Sequence, residues 1–455
     1  MMIKIYNSLT NKVEEFKPIK EGEVSMYVCG PTVYNNLHIG NSRPVIFFDT
    51  VARFFKYLGY KVTYVSNFTD IDDKIINKAI KENVSETEIS ERYIKVILNL
   101  YKRLNCLPHD LNPKVTENMD NIVSFINKMV ENGGAYAVDG DVYFDVAKIS
   151  EYGVLSGQTV ENLLNGVRIE NNEKKHNSID FTLWKQTENG IKWDSPWGEG
   201  RPGWHTECVV MIDNIFNGMI DIHGGGNDLK FPHHDNEIAQ SICVNNHKIA
   251  NYWIHNGRVD LGGEKMSKST GNVLWADEML DTIPTPIYRL MMLNVPYRQL
   301  LNYKEDLVVQ STNDFEKIKR PYVSSYRKLE LADKLDLEKD YYTEFNNVDV
   351  KAIVEEFKEY MGNDFNTANA LTAIFKVTKL LNNYLREREV KYDALLEGLQ
   401  ALKSMLWVLG VNVDVTPLSS DDKELVNKWN QAKAVKDFET ADKLRLEITS
   451  RNIVL

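Results

Sequence analysis

Lys265-Met266-Ser267-Lys268-Ser269 places two lysines three apart on a segment flanked by Gly262-Gly263 and Gly271. Cations on a glycine-flanked loop can follow negative charge as it builds on phosphate oxygens in a transition state. Far upstream, Leu37-His38-Ile39-Gly40-Asn41 falls where a helix would begin after a strand. A helix start offers free N–H groups and the positive end of its dipole, both suited to a phosphate chain. Gly40 would let a nucleotide approach the backbone closely. In Phe231-Pro232-His233-His234-Asp235-Asn236-Glu237, His233 and Glu237 stand four apart and His234 and Glu237 three apart. Either pair could face one point from a helix, and spacing does not choose between them. The cysteines, Cys29, Cys106, Cys208 and Cys243, are scattered and form no CxxC pair. In a reducing compartment such thiols are usually small buried hydrophobes, so a metal site would have to be assembled from distant segments. Each feature also has an ordinary reading: an incidental histidine, an exposed basic loop, buried thiols beside a surface histidine pair.

These residues need elements to hold them. Val24 to Val28 alternates like a strand, Val45 to Leu58 reads as an amphipathic helix ended by Gly59, and Lys61 to Phe68 reads as the next strand. Strand, helix, strand at this length is a βαβ unit and therefore a parallel sheet, whose ligands bind beyond the carboxyl ends of the strands. Cys29, His38 and Thr69 fall at such ends. Residues from about Leu111 to Lys192 look like an insertion, with a helix over Asn118 to Glu131, a short strand Asp141 to Phe144 and a polar loop Glu170 to Ser178. A strand resumes at Met219 to His223, the glycines 224 to 226 follow, and Pro232 opens a helix running to Val244. From Leu307 onward the pattern is helical, including Val348 to Met361, Thr367 to Arg388 and Tyr392 to Leu409, as in a bundle. After a break at Gly410 to Ser420, Asp421 to Ile448 reads as helical again.

With 455 residues and a hydrophobic fraction of 43%, the chain is too long for one ordinary core, and several domains are expected. No apolar run reaches the roughly 20 residues of a membrane span, and the start does not read as a signal peptide, which makes the cytosol the expected compartment. The net charge of −11 is awkward for a nucleic-acid binder, so any RNA surface must be a local patch. Basic and acidic residues balance within Ser419 to Leu455, so the acidic excess lies upstream.

The two phosphate-type segments together resemble the paired signatures of the class I aminoacyl-tRNA synthetases. Four further strings resemble the cysteinyl-tRNA synthetases: Tyr27 to Tyr34, Asn67 to Lys74, Gly203 to Cys208, and His223-Gly224-Gly225-Gly226 through to Glu237. The likeness runs from the N-terminus to about Ser269 and continues more loosely to the end. It departs at Asn41, where the first signature usually has a second histidine; asparagine can donate to a phosphate but carries no charge. Together with the element pattern, the resemblance implies an α/β fold. A Rossmann-like parallel-sheet catalytic domain (residues 1–110 and 201–264) is split by an insertion (111–200). It is followed by the lysine loop and a stem-contact region (265–310), an α-helical bundle (311–410) and a small C-terminal anticodon-binding part (411–455).

The resemblance also implies site roles. One Zn²⁺ per chain would sit on Cys29, Cys208, His233 and Glu237, a donor set whose thiolates, imidazole and carboxylate suit that ion. Thr69 and Trp204 would border a bound cysteine, with His223 near its amino or carboxylate end. Gly40, Asp228 and Lys268 would contact ATP, Asp228 through the ribose hydroxyls. His38, Asn41, Lys265 and Lys268 would stabilise the α-phosphate as pyrophosphate leaves, with Mg²⁺ on the phosphates. The metal has a purpose: cysteine and serine are similar in size, and a shape-selective pocket separates them poorly. The implied partners are ATP, L-cysteine and tRNA(Cys), with no membrane and a monomeric state. The nearest rival is a related ATP-dependent cysteine ligase acting on a small amine, which the long helical region after Leu307 disfavours. A zinc hydrolase built on the His-His-Asp-Asn-Glu string would leave the lysine segment unexplained. An inert RNA-binding relative would leave both signatures without work.

Overall fold

The computed structural model describes residues 1–159, 161–162, 174–265, 272–451 and 453. They form two compact units. The first contains Met1–Ile283, Val295–Lys304 and Gly362–Phe365; the second contains Pro284–Asn294, Glu305–Met361 and Asn366–Leu455.

In the first unit, β1 (Lys4–Asn7) and β2 (Lys12–Glu15) pair as an antiparallel hairpin. The expected βαβ unit follows as β3 (Glu23–Val28), α1 (Ile39–Tyr57) and β4 (Lys61–Ser66), with β3 and β4 parallel. Helix α1 starts at Ile39, within the Leu37–Asn41 segment expected at a helix start and six residues before the apolar periodicity beginning at Val45. The polar residues Ser42 and Arg43 in between are buried, with Ser42 Oγ donating to the Ile39 carbonyl at 2.7 Å. Satisfied polar groups can be helical and buried at once. The helices α2 (Asp73–Glu82) and α3 (Glu86–Arg103) come next, N-capped by the side chains of Asp72 and Ser85.

The insertion builds α4 (Met119–Glu131) and an antiparallel sheet of β5 (Ala135–Val138), β6 (Asp141–Phe144), β7 (Phe181–Gln186) and β8 (Gly200–Pro202) in that order. Met119, Ile122, Phe125, Ile126 and Met129 recur at three- and four-residue spacing on the buried face of α4. They share one core with Tyr27 and Val65 of the parallel sheet and with Trp184 and Cys208. Of the expected polar loop Glu170 to Ser178, the residues up to 173 lie outside the described residues.

Helix α5 (Glu207–Phe216) leads to β9 (Ile220–Gly226), α6 (Asp235–Asn245) and β10 (Ala250–Asn256). The glycines expected after the strand are its last residues. A Cβ at Gly224 would lie 2.3 Å from the Phe48 ring, so only glycine lets the strand pass this close to α1. The expected helix from Pro232 begins at Asp235, after a wider turn over Lys230–His234. The parallel sheet has the order β10-β9-β3-β4. A small sheet of β11 (Val259–Leu261), β12 (Glu264–Lys265) and β13 (Leu301–Tyr303) in the order β12-β11-β13 completes the unit with α7 (Ala276–Thr282).

The second unit is helical: α8 (Thr285–Leu293), α9 (Glu305–Leu331), α10 (Val348–Gly362), α11 (Thr367–Arg386) and α12 (Tyr392–Leu409), ended by Gly410 at φ 65°. The terminal segment, expected to be helical, is a pair of helices, α13 (Ser420–Ala434) and α14 (Phe438–Ser450). Lys436 takes φ 60° between them and Asp437 caps α14. The pair closes on Leu425, Val426 and Ile448, with Trp429 packed beside them. Among the described residues no helix is long and apolar enough to cross a membrane.

Candidate active site and metal centre

A cleft of about 580 Å³ opens at the carboxyl ends of the parallel strands. Strand β3 pairs on one side with β4, next in sequence along the βαβ unit, and on the other with β9. Strand order reverses there, which is where open α/β sheets bind ligands. Cys29, at the end of β3, and His38, Gly40 and Asn41, at the start of α1, line the cleft with Trp204 and Asp228. Asp228 sits exposed on the turn after β9. Thr69, Cys208, His223, His233 and Glu237 are enclosed behind this surface.

Cys29, Cys208, His233 and Glu237 converge, with ligand atoms all within 4.8 Å of one another. The Cys29 and Cys208 sulfurs are 3.6 Å apart, Cys29 Sγ is 3.7 Å from Glu237 Oε1, and His233 Nε2 is 2.9 Å from the same oxygen. A tetrahedral ion with Zn–S bonds of about 2.3 Å would hold two sulfurs about 3.8 Å apart, so the donor set fits. A second set, Cys29, His223, His234 and Glu237, meets the same separation. Only the first contains both thiols. His234 points its Nε2 at Cys29 Sγ from 3.3 Å, while its Nδ1 lies 2.8 Å from His255 Nε2, and His255 Nδ1 lies 2.9 Å from Ser8 Oγ.

Burial works against charge at these positions, and neighbours decide the result. It opposes ionisation of Glu237, but His223 and His233 outweigh it and hold that carboxyl well below the usual range. It opposes protonation of His233, but Glu237 and Cys208 outweigh it and raise the imidazole to about 10. The Cys29 thiol donating to Cys208 lowers Cys208 to about 6, while burial pushes Cys29 up. The pocket therefore already favours a thiolate beside a cation.

His223 is fully enclosed. Its Nδ1–H donates to the Tyr27 carbonyl at 3.1 Å, and its Nε2 lies 2.7 Å from Glu237 Oε2. Trp204 is 41% exposed and stacks on His233 at 4.3 Å, so it forms a rim rather than a core. The Thr69 hydroxyl donates to buried Glu207 at 3.0 Å. At the start of α1, Asn41 Oδ1 accepts the His38 backbone N–H at 3.3 Å, so its Nδ2H₂ end is what it can offer a ligand. Lys265 is the last residue of β12; Lys268, with Met266, Ser267 and Ser269, lies outside the described residues. Sequence reasoning passed over His255, Asn67, which accepts the Gly30 N–H at 2.9 Å, and Glu207. Asn67 and Glu207 fall within strings that carry the family resemblance, whereas His255 lies outside them.

Comparison with known proteins adds to this geometry. Residues 15–313 match the family described as tRNA synthetases class I (C) catalytic domain, and residues 356–413 match the DALR domain. The chain is 43% identical to a protein named cysteine–tRNA ligase from Bacillus licheniformis, over 100% of this chain and 97% of that one. It is 42% identical to one of the same name from Acholeplasma laidlawii, over 100% of both. Among solved structures, a methionyl-tRNA synthetase from Mycobacterium tuberculosis in complex with methionyl-adenylate superposes with a TM-score of 0.60 at 15% identity, covering 92% of this chain and 96% of that one. At that identity the likeness speaks to the fold alone.

Proposed function

This chain belongs to the cysteine–tRNA ligases of class I, and from that premise we propose that it activates L-cysteine with ATP as cysteinyl-adenylate and transfers the cysteinyl group to tRNA(Cys). The observation that carries the choice of cysteine is the convergence of Cys29, Cys208, His233 and Glu237 on the wall of the cleft. Zn²⁺ bound there would favour the thiolate of cysteine, whereas the hydroxyl of serine stays protonated and binds weakly. Trp204 and Thr69 border the amino acid. His223, whose Nε2 also meets Glu237 Oε2, serves the amino or carboxylate end of that amino acid. No editing step is needed to reject serine.

In the first reaction the cysteine carboxylate attacks the α-phosphorus of ATP and pyrophosphate leaves. His38, the Asn41 amide, Lys265 and Lys268 supply positive or donor groups to the α-phosphate, and Asp228 accepts the ribose hydroxyls. Mg²⁺ brought with ATP would offset charge on the phosphates. In the second, a hydroxyl of the terminal tRNA ribose attacks the cysteinyl carbonyl and AMP leaves. Little covalent chemistry falls to the protein, so its contribution is positioning and charge stabilisation. Residues 1–110 and 201–264 carry the chemistry in this reading. Residues 265–310 meet the acceptor stem, and the parts after 311, above all 411–455, serve the anticodon. The setting is cytosolic.

The test is product identity. Protein given ATP, labelled cysteine, tRNA(Cys) and a panel of small amines is expected to place the label on tRNA as a base-labile ester. A cysteinyl amide with no charged tRNA would contradict the proposal and favour the small-molecule ligase.

A further inference from the structure

Arg43 lies two residues beyond Asn41 on α1 and is 1% exposed. Its Nη1 donates to the carbonyls of Gly257 at 2.8 Å, Arg258 at 3.1 Å and Gln299 at 2.6 Å, and its Nη2 donates to that of Pro296 at 3.3 Å. These carbonyls lie on two segments. Gly257 and Arg258 join β10 to β11, and 296–299 run into β13. Strand β11 is parallel to β13 and antiparallel to β12, whose last residue is Lys265. The guanidinium therefore grips both roots of the sheet from which the lysine segment departs.

Two more contacts point the same way. Phe47, one turn along α1, stacks on Tyr297 at 4.2 Å and 13°. After the lysine segment, the Leu274 carbonyl accepts the Ile39 N–H at 2.9 Å and the Ala276 N–H donates to Leu37 at 3.0 Å. Helix α1 thus holds the chain on both sides of that segment. A packing role alone does not ask for arginine: burying a guanidinium is unfavourable unless its donors are met. Burial does lower Arg43, to about 10, which leaves it charged at neutral pH. What arginine adds is a planar fork that can bridge two backbone segments, which a lysine ammonium cannot reproduce.

We propose that Arg43 is a positioning residue for adenylate formation, fixing the small sheet that leads to Lys265 and Lys268 against the helix start that carries His38 and Asn41. The inference rests on the lysine segment acting at the α-phosphate, as proposed above.

The test is Arg43→Lys, alone and combined with Lys268→Ala, followed by single-turnover adenylate formation, the cysteine KM and metal content. Misplacement of about 1 Å can cost about 10²-fold in rate, so Arg43→Lys is expected to slow adenylate formation at least about tenfold. The cysteine KM and metal content should stay at their original values. In the Lys268→Ala background most of that loss should vanish, because the two act on the same step through the same group. A loss that multiplies in full in that background, with Lys268→Ala itself slow, overturns the role of Arg43 alone. Lys268→Ala at full speed overturns the lysine reading and this inference together. Loss of metal and of cysteine affinity along with rate marks Arg43 as a structural residue and also overturns it. If Arg43→Lys does not fold, Phe47→Leu loosens the same clamp through Tyr297; an unchanged rate there overturns the inference, and a slowed rate at unchanged KM supports it.

Discussion

At the scale of single residues, the cleft depends on which groups stay neutral as much as on which are charged. His109 lines the cleft, its ring 4.4 Å from Tyr64 and 5.5 Å from Tyr101. The Asn112 amide donates both to His109 Nδ1 at 2.9 Å and to the Ser66 carbonyl at 2.6 Å, so Nδ1 must remain an acceptor. Burial lowers this imidazole to about 4. The unfolded chain therefore takes up a proton near pH 6.5 that the folded chain refuses until about pH 4, and stability falls across that window as pH drops. The ring keeps some solvent contact, so between pH 7.5 and 5 the loss should be about 1–2 kcal/mol. Urea unfolding of wild type and His109→Gln at the two pH values checks this: the variant should lose less on acidification by about that amount, and equal losses would contradict the assignment. The metal site shows how far residue types reach by themselves. Spacing restricts partners only within one element, so it left His233 and His234 equivalent and said nothing of Cys29 meeting Cys208. That contact depends on β3 and α5 being neighbours, which no local pattern encodes. The resemblance to the cysteinyl-tRNA synthetases supplied the choice, and the geometry brings that set together.

At the scale of elements, the βαβ unit and the long bundle helices were legible because their apolar periodicity is sustained over many residues. The errors fall where polar residues are satisfied inside the fold or where the backbone turns without glycine. Apolar periodicity marks helix α1 only from Val45 because its first turns carry the buried polar residues Ser42 and Arg43; the helix start itself is marked by Leu37–Asn41. Strand β9 was cut short because its glycines are there for the approach of Phe48 rather than for a turn. The helical pattern of the terminal segment does not show where it divides, because Lys436, which turns the chain at φ 60°, gives no sequence signal of a break. The resulting α13–α14 pair presents Phe438 at 67% exposure, and Lys433 sits 3.2 Å from the centre of the Trp429 ring. Exposed aromatic and cationic groups of this kind can stack on unpaired bases. Deletion from Ser419 onward is expected to leave cysteine-dependent pyrophosphate exchange unchanged, since every residue lining the cleft belongs to the first unit. Charging of tRNA should fall about tenfold or more, the equivalent of losing one stacked base. Equal loss of both activities would show that the pair supports the fold instead, and unchanged charging would remove it from recognition.

At the scale of the whole molecule, a chain of net charge −11 has to bind a polyanion through local patches. What bears on its substrate is therefore the site: a cleft at a strand-order reversal, with a donor set containing two thiols on its wall. The claim that this donor set selects cysteine is tested most directly by ATP–pyrophosphate exchange with cysteine and with serine, before and after complete metal removal. The account predicts cysteine-dependent exchange at least about 10³-fold above that with serine, and its loss with the metal. Comparable exchange with the two amino acids, or cysteine exchange that survives without metal, would contradict it.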